Sequence, residues 1–251
     1  MAVALYGAIM AGIVFASYAG AQRMGYNWQW YRVPKYIYTL TEDGFQPGEI
    51  LIGLWVTVKL SAAAFGLATL LGGLVAALRL SGLIVGRGVA IIYLELIRNI
   101  PLLVLLYLFY YVLGPIFGLT RWSAAILTLA VFHSALISEI FRAGINSVAR
   151  GQWEAADAIG MTRAQALRYI ILPQSVRFML PPLTGEAVHL IKSSAIVSVI
   201  AVAELTTMGR NIISDSYMSF EIWFTVAAVY LALTLVLSFG VSTLERRFNP
   251  N

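Results

Sequence analysis

The chain has no cysteine among its 251 residues. That excludes a disulfide framework, thiolate metal sites and a cysteine nucleophile. Histidine is nearly as scarce: His133 and His189 read as too few and too isolated for a histidine metal cluster. Charge is thin as well, with 12% charged against 60% hydrophobic residues. A soluble domain carries about 25% charged and about 45–50% apolar residues. So few charges cannot cover a soluble surface, and the mean hydropathy of +0.81 points to an integral membrane protein with several helical spans. There is no G-x-x-x-x-G-K-[ST], hence no P-loop, and no G-x-S-x-G or H-E-x-x-H. If the work of this protein costs ATP, another chain must hydrolyse it. The net charge of +5 fits Lys/Arg in cytoplasmic loops of a membrane protein better than nucleic acid.

What is present is a series of apolar runs, each near the roughly 20 residues a spanning helix needs. Residues 1–22 carry no charged side chain and lack the basic lead-in of a secretory signal, so they read as a retained span. Residues 23–49 mix Arg23, Arg32, Lys35, Glu42, Asp43 and Glu49 with Trp28, Trp30, Tyr31, Tyr36 and Tyr38. That mixture suits a water–lipid boundary, with a partner-docking surface as the sharper alternative. Further spans are expected over about 50–78, 88–118, 122–141, 186–208 and 222–244. Pro101 predicts a break near Asn99 and Ile100. Pro181-Pro182 predicts another interruption. With the polar stretch 142–177 inside, strict alternation places Arg79, Arg87, Arg142, Arg150, Arg163, Arg168, Arg177, Arg246 and Arg247 inside and fewer cations outside. Both termini are then cytoplasmic.

Residues 151–177 read as two short helices with a joint. Gly151 can end the preceding turn. Glu154 and Asp157 fall early in the first helix, where carboxylates suit the positive dipole end. Trp153, Ala156 and Ile159 share one ridge. Gly160 occupies a C′ position, where positive φ is easy. Thr162 with Gln165 three places later forms a capping-box pattern, and Leu172-Pro173 ends the unit. The outer face is small (Ala155, Ala156, Ala158) with one large apolar knob, a shape that needs a groove to fill. An amphipathic linker resting on the bilayer is the plain alternative.

Glu154-Ala155-Ala156, three residues, Gly160, nine residues, Ile170, one residue and Leu172-Pro173 match the EAA signature at every signature position. The chain therefore resembles the permease subunits of ABC importers. Similar stretches over 95–103 (ELIRNIPLL), 139–145 (EIFRAGI) and 180–206 resemble the polar-amino-acid subfamily. The resemblance covers roughly residues 50–247. It implies an all-α integral membrane protein, a type I ABC importer permease-like bundle with about six transmembrane helices. These form a five-helix core plus an extra N-terminal span, with a cytoplasmic coupling helix. The expected organisation is an N-terminal span and interfacial segment (1–49), the permease domain (50–247, EAA loop 151–177) and a short tail (248–251). The resemblance further implies that Glu154, Ala155, Ala156 and Gly160 dock into a cytoplasmic ATPase dimer, with Arg163 adding a salt bridge. Other implied partners are a second permease chain, a periplasmic or surface amino-acid-binding protein, lipid and an amino-acid substrate. The chain itself holds no cofactor, since ATP and Mg sit on the partner. Its expected location is the bacterial inner membrane.

An ionisable group at bilayer depth costs at least about 2.5–3.5 kcal/mol on insertion scales. The chain places Lys59, Glu95, Arg98, Glu139, Arg142, Glu186, Lys192 and Glu204 there. Glu95–Arg98 and Glu139–Arg142 are i,i+3 pairs that can neutralise themselves. The functional reading is a polar path for a zwitterion. Arg98, beside the Pro101 break, can grip a carboxylate with two hydrogen bonds. Glu139 can receive an ammonium, and Lys192 is a second cation. Thr57 and Ser61, one helical turn apart, face the same path, as does Ser193. If 186–204 is one helix, Glu186, His189, Ser193 and Glu204 share a face away from Lys192. His189 alone reads as a satisfied interior histidine. Where the family often shows Arg-Gly-Thr-Pro, this chain has Arg98-Asn99-Ile100-Pro101. With Lys192-Ser193-Ser194, that departure resembles permeases for acidic or general L-amino acids. An ion-gradient-driven transporter or channel explains the buried charges equally well, but not the EAA spacing. A membrane enzyme lacks the residues for it.

Overall fold

The computed structural model describes residues 2–42 and 44–248; Asp43 and residues 249–251 of the expected tail lie outside the described residues. A lone apolar helix α1 (Ala2–Arg23) is followed by a short turn of helix α2 (Pro34–Ile37) and a hairpin, β1 (Tyr38–Thr41) and β2 (Gly44–Pro47). Next come α3 (Glu49–Leu80), α4 (Ile84–Asn99), α5 (Leu102–Tyr107), α6 (Gly114–Phe117) and α7 (Arg121–Asn146). The elbow holds α8 (Arg150–Ala158) and α9 (Arg163–Ala166), and α10 (Leu172–Ser193), α11 (Leu205–Ser216) and α12 (Ser219–Phe248) complete the chain. Among the described residues, five helices are long and apolar enough to cross a membrane, or six if the bent stretch Ile84–Asn99 with Leu102–Phe117 counts as one span.

The core is the packing of α3 along α7, with α10 against α7 and α12. The buried face of α3 is built from small residues at helical spacing, including Gly53, Ser61, Ala64, Ala68 and Gly72. The facing side of α7 buries Ala124, Ala125, Thr128, Ser134, Ala135 and Ser138. In lipid the hydrophobic effect does not drive helices together, so close backbone approach supplies the contact. Gly72 shows how close: a Cβ there would lie 2.9 Å from the Ser134 carbonyl and 2.8 Å from Ile137 Cγ2. Large apolar side chains such as Leu70, Leu74, Ile92, Phe224, Val236 and Phe239 point outward instead, as lipid-facing residues do.

Pro101 breaks the third span as its chemistry requires: α4 ends at Asn99, Ile100 is extended, and the axis turns by 105°. The fifth span departs from expectation. Chain 163–200 is one continuous helical run, and neither Leu172-Pro173 nor Pro181-Pro182 interrupts it. Proline's fixed φ is helical, and the run widens into a π turn over Leu167–Ile171 just before Pro173, the kind of local adjustment that accommodates a missing N–H inside a spanning helix. The inner pair is tolerated as prolines in spanning helices are, and nearby the Thr184 hydroxyl donates to the Leu180 carbonyl at 2.9 Å. Residues 186–204 are therefore no single helix. After Ser193 the chain tightens into a 3₁₀ turn over Ser194–Ile200, and Ala201 adopts φ 56°. The separate α11 then starts from Glu204, an element the periodicity did not separate from the fifth span.

The aromatic N-terminal arm packs on the start of α12. Tyr26 stacks edge-on to Phe220 at 4.7 Å, and Trp30 lies 6.4 Å from Phe224. The Glu221 carboxylate accepts from the Tyr26 hydroxyl at 2.5 Å and from the Gln29 amide at 2.6 Å.

Candidate coupling and transport site

The elbow forms as its residues dictate at the joint, but not at its start. Gly160 closes α8 at φ 77°, and Thr162 caps α9 through a reciprocal capping box with Gln165. The Thr162 amide donates to Gln165 Oε1 at 2.9 Å. By contrast, α8 begins at Arg150, so Gly151 lies inside it rather than ending the turn before. Glu154 is consequently mid-helix, where it pairs with Arg150 at 3.1 Å, and Asp157 falls in the last turn. Neither carboxylate meets the positive helix end.

The faces of α8 are also redistributed. Trp153 packs into the cluster of Ile145, Val148, Ile171 and Met179, and Ala156 is 0% exposed. Both fix the elbow to the helices behind it. Ile159 leaves that ridge at the C-cap and stands 69% exposed. The outward face is thus Glu154, Ala155, Ala158 and Ile159, with Ala156 an anchor rather than a docking residue. Arg163 is exposed and lines a cavity of about 660 Å³ bounded by Gly73, Ala77, Phe141 and Met179.

The ionisable groups in the spans regroup across helices. Glu139 accepts from Arg142 at 2.9 and 2.8 Å, is bonded by Arg79, and has Arg98 at 3.7 Å. It is already neutralised by arginines from α3, α4 and its own helix, and no ammonium is needed to balance it. Arg79 lies at the end of α3, on the side the charge count calls cytoplasmic, and nothing in α3 alone points it at Glu139 of α7. Glu95 does not pair with Arg98. It receives the Asn99 amide nitrogen at 3.3 Å, while Arg98 turns to Glu139.

The other candidates scatter. Thr57 is fully buried and ties α3 to α11, donating to the Gly53 carbonyl at 3.0 Å and accepting from the Leu205 amide at 3.1 Å. Ser61 is buried with its hydroxyl unpartnered among the described residues. It borders an apolar cleft of about 510 Å³ between α3, α10 and α12. Lys192 is exposed without an ion pair among the described residues, and Ser193 is half-buried beside it. No hydrogen bond or ion pair joins either to Arg98 or Glu139 among the described residues. Glu204 is a helix cap: its carboxylate accepts from the Thr206 and Thr207 amides, each at 2.8 Å, and from the Tyr230 hydroxyl at 2.9 Å.

The two histidines correct the reading of them as isolated. His133 on α7 lies 2.5 Å from Glu186 on α10, and its ring centroid is 5.8 Å from that of His189. Nor is His189 an interior residue of this chain, since it is exposed.

A multi-span helical bundle with a broken third span and a capped elbow between its long helices defines a type I ABC importer permease fold. The chain belongs to the family of binding-protein-dependent transport system inner membrane components, which it matches over residues 68–250. It is 38% identical over 201 residues to a probable glutamine ABC transporter permease, GlnM, of Bacillus subtilis, covering 79% of this chain and 93% of that one. It is 39% identical over 202 residues to the glutamine transport system permease GlnP of Escherichia coli K12, covering 77% and 88%. Among solved structures, an amino acid ABC transporter with histidines superposes with a TM-score of 0.74 at 41% identity, covering 79% of this chain and 94% of that one. The chain is thus an inner-membrane permease, and the ion-gradient alternative falls away.

Proposed function

We propose that this chain is the permease subunit of an ATP-driven importer of a polar L-amino acid, working with a cytoplasmic ATPase dimer, a second permease chain and an external binding protein. The observation that carries the reading is the elbow: a small-residue face with one apolar knob, presented outward and anchored behind by Trp153 and Ala156. Glu154, Ala155, Ile159 and Gly160 are the docking and joint residues, and Arg163 borders the cavity behind them. ATP and Mg belong to the partner. The names of the relatives support an amino acid as cargo, and those named for glutamine favour a substrate with one carboxylate. A dicarboxylic substrate would need two free cations, whereas Arg98 already faces Glu139 at 3.7 Å. Lys192, exposed and in no ion pair among the described residues, is the candidate cation for substrate, with Ser193 beside it and Ser61 on the cleft. Arg98 and Glu139 position the α4 break.

The test is uptake in proteoliposomes holding this chain, its ATPase and its binding protein. ATP-dependent uptake of a labelled neutral polar amino acid is expected. Lys192→Ala should lower it by about tenfold or more per assembled complex, the loss of one charge-assisted carboxylate contact. Uptake by the chain alone, driven by an ion gradient, would refute the reading.

A further inference from the structure

His133, Glu186 and His189 form the densest group of metal-ligating side chains among the described residues, and neither the elbow nor the substrate residues use them. Each offers one ligand atom, and the three atoms lie within 4.8 Å of one another. Glu186 and His189 stand at i,i+3 on α10, so both project to one side of that helix. His133 meets them from α7. We propose that these residues form a binding site for a divalent transition-metal ion of the zinc class, held between α7 and α10.

The donor set is right for such an ion. Two imidazoles and one carboxylate are a common three-ligand zinc set that leaves a fourth position for water or another ligand. Protein–protein hydrogen bonding, in contrast, leaves the group unfinished. His133 is 0% exposed, and its single bond, to Glu186, engages Nδ1; Nε2 has no partner among the described residues. Leaving a buried donor or acceptor unpaired costs about 1–3 kcal/mol. His189 makes only an edge contact with the His133 ring and no side-chain hydrogen bond among the described residues. A proton shared by His133 and Glu186 therefore satisfies one contact and gives His189 nothing to do. A metal ion uses all three.

The geometry needs little adjustment. Donors bound at about 2.0–2.2 Å from one ion stand about 3–4 Å apart. Binding requires the His133–Glu186 contact of 2.5 Å to open by about half an ångström and the exposed His189 ring to turn toward the pair. That exposed side is also the way in for the ion. Glu186 supplies the negative charge that a dication requires at bilayer depth.

The experiment uses the full chain, purified on a histidine-free tag, stripped with chelator and titrated with Co²⁺ and then Zn²⁺. Wild type should bind one Co²⁺ per chain with the visible bands of low-coordinate cobalt, which Zn²⁺ abolishes. Zn²⁺ should also raise its thermal midpoint. In His189→Gln, whose exposed position spares the fold, the bands should vanish and Zn²⁺ affinity should fall by at least about tenfold. Glu186→Gln should behave alike. A featureless cobalt spectrum in wild type, or equal stoichiometry and affinity in wild type and His189→Gln, overturns the proposal and leaves a proton-sharing His133–Glu186 pair.

Discussion

Gly160 holds φ 77° at the joint of the elbow, and a Cβ there would meet nothing within 4 Å. Any penalty for replacing it is therefore one of backbone conformation alone, about 1–2 kcal/mol for an L-residue and worse for a β-branched one. Gly160→Val should reorient α8 relative to α9 and uncouple the complex: ATP hydrolysis persists while uptake per ATP falls several-fold. Gly160→Asn, which tolerates the left-handed region, should retain most coupling. Paired ATPase and uptake rates on reconstituted complex check both. This residue was legible because glycine followed two places later by Thr162 and a capping box has a local meaning. Ala155 and Ala156 were not separable, since the same side chain stands at adjacent positions. Only packing says which is 0% exposed.

One side of helix α8 is fixed to the helices behind it. Trp153 packs against Ile145, Val148 and Ile171, and Ala156 is fully buried, while Ala155, Ala158 and Ile159 remain outside. Ala156→Leu adds bulk where no space exists, and overpacking of this kind costs about 1–3 kcal/mol. It should lower the thermal midpoint of the isolated chain. Ala155→Leu should leave that midpoint unchanged and instead weaken retention of the ATPase during co-purification. The opposite assignment of the two effects would reverse the inner and outer faces drawn for α8. At the level of elements, the broken third span followed directly from Pro101. The continuous run over 163–200 did not, because a proline inside a spanning helix is tolerated when local turns and neighbouring side chains take up the freed backbone groups, and no local signal announces that.

This chain carries one elbow, and the proposed ATPase dimer would take two. The working complex should therefore contain two permease chains per two ATPase subunits, this chain twice or once with a relative. Native mass spectrometry of the purified complex reads that number directly; a single permease chain per ATPase pair would contradict the coupling scheme. Alternating exposure of the path then requires the elbows of both chains to move together with the ATPase. Within this chain, the arginines about Glu139 link α3, α4 and α7 near the α4 break. They provide a rigid unit that such motion can carry as a whole.

The sequence by itself determined the solvent, the broken third span and the joint of the elbow. Apolar length, the Pro101 break, a glycine with positive φ and a capping box all act within a few residues of chain, so one-dimensional order suffices to read them. The tertiary structure alone decided which charges meet. Glu139 finds Arg79 and Arg98 rather than waiting for a ligand, Thr57 is taken by the Leu205 amide, and His133 comes to Glu186 and His189. Such partners lie tens of residues apart and are chosen by helix rotation and close approach, which depend on small residues packing between α3 and α7 and not on any local signal.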